Sequence, residues 1–80
     1  MSYQIGELLI FHDNDGNIDD TAIVISSRTL EHSEHYYPSH AKEIIYKIHL
    51  TEDGRVLEYP EHHLKLRVST KKEYEVKYGI

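Results

Sequence analysis

The eight residues Asp13 to Asp20, DNDGNIDD, hold four carboxylates, two amides and a glycine. Oxygen-rich loops of this kind can bind hard cations such as calcium. With Gly16 set at the glycine of an EF-hand loop, Asp13 and Asp15 fall on the third and fifth ligand positions, and Ile18 on the usual apolar one. The first ligand position is then Phe11 and the closing bidentate acid is Ala22, so both end ligands of that geometry are missing. A looser calcium site from Asp13, Asp15, Asp19 and Asp20 is one reading. A solvated turn is the other, and Asp, Asn and Gly are the usual turn residues.

The second chemical feature is imidazole. His32 and His35 stand three apart beside Glu31 and Glu34, a spacing that shares one helical face and suits zinc. The HExxH order of zinc hydrolases is not present, and His40, His62 and His63 would join only if the fold brought them near. Exposed loop histidines are the alternative. Seven histidines move the formal charge from about −5 to near +2 as pH falls through ~6.5, which predicts pH-dependent solubility or association.

Tyrosine is the third feature. Tyr36 and Tyr37 sit in a long connection and Tyr59 near the last hairpin, and tyrosine is enriched at protein interfaces. These three are the candidate partner-binding residues, with half-buried rim positions as the alternative. Nucleophilic catalysis lacks its parts. The chain has no cysteine and no GxSxG, Ser26 and Ser27 fall within an expected strand, and four scattered glycines make no phosphate loop. No enzyme activity and no cofactor are expected.

Composition sets further bounds. Eighty residues make one domain whose core is thin, burying only about 60–65% of the unfolded surface. Nine Lys and Arg stand against fourteen Asp and Glu, which disfavours nucleic-acid binding. Five of the nine (Lys65, Arg67, Lys71, Lys72 and Lys77) lie beyond residue 64, so the remainder is distinctly acidic. No apolar run approaches a membrane span, and no secretory signal is visible, so a cytoplasmic or virion location is expected.

The elements that must position these groups are mostly strands. IGELLIFH, residues 5–12, reads as the first, and the β-branched TAIVISSR, residues 21–28, as the second. A polar connection spans 29–41. KEIIYKIHL, residues 42–50, alternates Ile44, Tyr46, Ile48 and Leu50 on one face. EDG makes a hairpin turn into a fourth strand ending at Pro60. EHHL fits one helical turn, and KLRV a fifth strand with Leu64, Leu66 and Val68 on one face. The expected core is Ile5, Leu8, Ile10, Ile23, Ile25, Tyr46, Ile48, Val56, Leu64, Leu66 and Val68. In the tail, Tyr74, Val76, Tyr78 and Ile80 alternate as in a strand, whereas Thr70 with Glu73 has capping-box spacing and Gly79 suits a helix end.

The segments IGELLIF, TAIVISS and YKIHLTEDGRVLEYPEHHLKLR resemble the small SH3-like barrels that recur among short proteins of tailed bacteriophages and in KOW- and Tudor-like domains. The resemblance spans residues 5–68. It implies a mostly β fold: a five-stranded, SH3-like, partly open barrel over residues 1–69, with a helical turn before the last strand and a strand or helix extension over 70–80. The expected function is a non-enzymatic protein-interaction module, such as a phage accessory protein binding a host or viral protein. A homo-oligomeric structural or virion assembly component is the alternative. KOW domains usually carry basic faces, from which this acidic chain departs.

Overall fold

The computed structural model describes residues 3–31 and 42–79. Five strands form one antiparallel sheet, β1 (Leu8–His12), β2 (Ile18–Glu31), β3 (Lys42–Leu50), β4 (Val56–Pro60) and β5 (Val68–Thr70). Helix α1 (Glu61–Arg67) joins β4 to β5, and α2 (Lys71–Tyr78) follows β5 directly. The sheet order is β4-β3-β2-β1-β5, which leaves β4 and β5 as its edges. Fourteen residues of β2, at about 3.3 Å each, match the 44 Å long axis of the molecule.

The core lies on one face of this sheet. Leu9 pairs with Ala22, Ala22 with Leu50, and Val24 with Ile48, so these side chains stack in rows and all are buried. Tyr46 and Leu64 complete the centre, and Phe11, Leu57 and Tyr59 pack against it. Each fully buried aliphatic side chain here stabilises the fold by about 1.5–3 kcal/mol. Tyr46 buries its hydroxyl without loss. It accepts a bond from the Tyr3 amide and donates to Glu61 of α1, both at 3.0 Å.

The first two strands match the expected core only at Ile10, which is buried. Leu9, Ala22 and Val24 are buried, whereas Leu8 and Ile23 are only half-buried, Ile5 is 61% exposed and Ile25 is 41% exposed. The register shifts between Val24 and Ser26, so Ile25 is an extra residue bulged out of the ladder. Strand β1 also begins at Leu8 rather than residue 5, and β2 extends beyond 21–28 at both ends. Val56 is likewise exposed, because β4 turns Leu57 and Tyr59 inward.

The fifth strand is shorter and later than KLRV. Residues 61–67 are helical throughout, with Glu61 in the first turn and Lys65 and Arg67 in the last, signs that suit the helix dipole. At 3.6 residues per turn, Leu64 and Val68 fall on one side and Leu66 on the other. Leu64 is accordingly buried and Leu66 is 84% exposed, contrary to its expected core position. His62 pairs with Glu43 of β3 at 2.7 Å and fixes α1 over the sheet. The tail is a helix. Thr70 and Glu73 form a reciprocal capping box, and Gly79 is its C-cap.

Candidate functional site

Helix α2 closes over the β1–β2 loop, and the aspartates of that loop build it. Asp13 accepts from the amides of Asp15 and Asn17 through Oδ1, both at 2.9 Å, and from the Asn17 side chain through Oδ2 at 3.1 Å. These donors, Asn17 foremost, hold its carboxyl below the usual carboxylate range. Asp13 is thus occupied in shaping the turn. Asp19 and Asp20 belong to β2 and line a groove farther on. Asp13, Asp15 and Asp19 do not converge, and among the described residues no three His, Cys, Asp or Glu side chains form a group that could hold a metal ion. His32, His35 and His40 lie outside the described residues, and His62 and His63 meet edge to face on α1.

His12 stands at the centre of the α2 contact. Its Nδ1 lies 2.8 Å from the Asp13 carbonyl, which can only accept, so Nδ1 carries a proton. Nε2 lies 2.7 Å from Ser69 Oγ on β5. A hydroxyl against an oriented imidazole is how a nucleophilic serine is activated. Here Ser69 is only 9% exposed, and Tyr74 and Tyr78 set their rings edge-on to His12 at 5.5 and 5.4 Å. The arrangement fastens β5 and α2 to β1. Tyr74 adds a hydrogen bond from its hydroxyl to the Gly16 carbonyl.

The concave surfaces open to solvent include one of about 810 Å³ beside α2, lined by Tyr3, Lys65, Val68, Thr70, Glu73 and Val76, and a groove next to His12 where β1, β2, β4 and α1 meet. Phe11 and Tyr59 form its floor, with ring centroids 6.3 Å apart. Leu57 and the exposed Leu66 extend this apolar strip, and the groove holds about 320 Å³. Arg55 and Arg67 stand on its rim with Asp19 and Asp20. The rim therefore carries charges of both signs.

Of the three tyrosines singled out in the sequence, Tyr59 lines this groove, and Tyr36 and Tyr37 lie outside the described residues. Phe11, Leu57 and Leu66 were not singled out as site residues. The alternation Leu57–Tyr59 was a usable signal, since period-two residues share a face. Residues Lys65, Arg67, Lys71 and Lys72 are all exposed on the two helices. Among the described residues no helix is long and apolar enough to cross a membrane. Comparison with protein-family models, with curated proteins and with solved structures returns no match.

Proposed function

We propose that this chain is a non-enzymatic protein-interaction module, and that the groove over Phe11, Leu57, Tyr59 and Leu66 receives an extended segment of a partner protein. The observation that carries this reading is that groove: the half-buried Phe11, Leu57 and Tyr59 beside a Leu66 that is 84% exposed, with charges of both signs at the rim. Aromatic anchors flanked by polar rims are how small β modules hold peptides. The strand order, with a helix joining the two edge strands, supports the finer view of an SH3-like, partly open barrel. Within that view the sequence resemblance favours an accessory protein of a tailed phage, with a host or viral protein as partner.

The test is affinity capture from a bacterial lysate treated with nuclease, comparing the wild type with Leu66→Asp. Leu66 makes so little of the core that its replacement leaves the fold intact. One stoichiometric protein held by the wild type and lost by the variant is the expected result. Equal recovery of the same protein by both would place the contact elsewhere and refute the groove.

A further inference from the structure

Among the described residues strand β4 is an edge, and the backbone groups it turns away from β3 can be assigned. The Leu50 amide donates to the Arg55 carbonyl at 2.8 Å, so Arg55 faces β3 at the mouth of the β3–β4 ladder, while its own amide donates to Asp53 Oδ1 at 2.9 Å. The register continues as Ile48 with Leu57 and Tyr46 with Tyr59, with no irregularity. Bonded pairs alternate along antiparallel strands, so Leu57 and Tyr59 turn their backbone groups to β3, as Arg55 turns its carbonyl. Val56 and Glu58 turn theirs outward, away from the sheet. Val56 is 52% exposed, and Glu58 is half-exposed beside Arg28.

We infer that this edge pairs with the same edge of a second copy, antiparallel and centred on Leu57. In that register Val56 of each copy faces Glu58 of the other, and each pair exchanges both backbone bonds. Every outward N–H and C=O of the two residues is then satisfied. The neighbouring registers fail. Centring on Glu58 sets two carboxylates against each other and places Val56 opposite Pro60, which has no N–H. Centring on Val56 places Glu58 opposite Gly54, whose amide is already given to the Leu50 carbonyl at 3.1 Å.

The side chains agree with the Leu57 register. Leu57 meets Leu57 of the second copy in a non-bonded pair, where side chains approach most closely. Arg55 falls opposite Tyr59 of the second copy. Its guanidinium is held at the edge by Asp53 at 2.7 Å, which leaves its flat face free to stack on the ring. Across the outer face the Val56 methyls lie along the Glu58 stem, while the Glu58 charge is answered by Arg28 of its own chain. The second copy therefore adds an arginine to each groove. One five-residue edge is a small interface, so the dimer is weak and concentration-dependent.

The test is sedimentation velocity over a wide concentration range, with three variants. Wild type is expected to pass from monomer to dimer. Glu58→Pro removes an outward N–H from each pair without touching the β3–β4 ladder, and should raise the dissociation constant about tenfold or more. Glu58→Ala, which keeps the N–H, should leave the dissociation constant within about threefold of the wild type. The chain has no cysteine, so Leu57→Cys gives a single thiol that should form a covalent dimer on mild oxidation. A monomer at every concentration overturns the inference. So does a dimer indifferent to Glu58→Pro, or one in which Val56→Cys cross-links and Leu57→Cys does not. Leu66→Asp leaves this edge alone, so the dimer and the groove fail or succeed separately.

Discussion

Replacing Gly16 by alanine should cost far more than replacing Gly6, although both glycines have nearly the same backbone. Gly6 has φ +87° and Gly16 φ +88°. An L-residue in that region costs about 1–2 kcal/mol relative to glycine at either site. A methyl at Gly6 meets nothing within 4 Å, whereas at Gly16 it would lie 2.6 and 2.7 Å from two ring carbons of Tyr78. The loop cannot swing aside cheaply, because Tyr74 holds the Gly16 carbonyl and Asp13 holds the amides on either side. Tyr78 must move and surrender its ring contacts with His12 and Tyr74, worth about 1–2 kcal/mol together. The total for Gly16→Ala is about 2–4 kcal/mol against about 1–2 for Gly6→Ala. Urea denaturation followed by circular dichroism measures both. In a Tyr78→Ala background the Gly16→Ala cost should fall to the Gly6 value. Equal costs for the two glycines, or a Gly16 cost unchanged by removing the ring, would refute the argument.

Tyr46→Phe should destabilise by about 1–2 kcal/mol in the same assay, because it leaves the Tyr3 amide and Glu61 short of a partner next to a buried ring. Thr70→Ala breaks the capping box and should cost about 1 kcal/mol, with helical signal lost before the sheet melts. The lowered Asp13 carboxyl contributes stability that is present above its ordinary value near 3.8 and is lost as pH falls through the folded value. Asp13→Asn should therefore flatten the acid limb of a stability–pH curve, and an unchanged limb would count against it. Tyr3 shows the opposite sign. Burial first, then Glu73 and Glu61, pushes its phenol up to about 12, so its contribution holds below the ordinary value of 10.0 and fades as pH rises toward 12. A spectrophotometric titration should show a late phenol that is absent in Tyr3→Phe.

What the sequence revealed depended on how many structures could share one apolar pattern. Strand β3 was legible from Tyr46 to Leu50, where Tyr46, Ile48 and Leu50 alternate with Lys47 and His49, whereas Ile45, expected on the opposite face, is also buried. The runs LLIF and AIVI offer apolar side chains to both faces. In β1 that is genuine, since Leu9 and Ile10 are both buried, and in β2 the bulge at Ile25 resets the phase. Two further segments share a degeneracy. Leu64, Leu66, Val68 and Tyr74, Val76, Tyr78 are spaced by two, yet their outer members are four apart and also share a helical face. Only the middle residue discriminates, and Leu66 and Val76 are 84% and 79% exposed, as a helix requires. The groove was beyond local reasoning, because Phe11 and Tyr59 meet only once β1 through β4 are assembled.

The position of β5 bears on the order in which the protein can form during synthesis. Strands β1 to β4 are joined neighbour to neighbour and can zip up as they leave the ribosome. The free edge of β1 is covered only when residues 68–70 arrive, and His12 gains its serine and tyrosine partners only with residues 69–78. Until then a nascent chain carries two open edges and an unroofed β1. That is the interval in which neighbouring chains on one message are most exposed to pairing with each other.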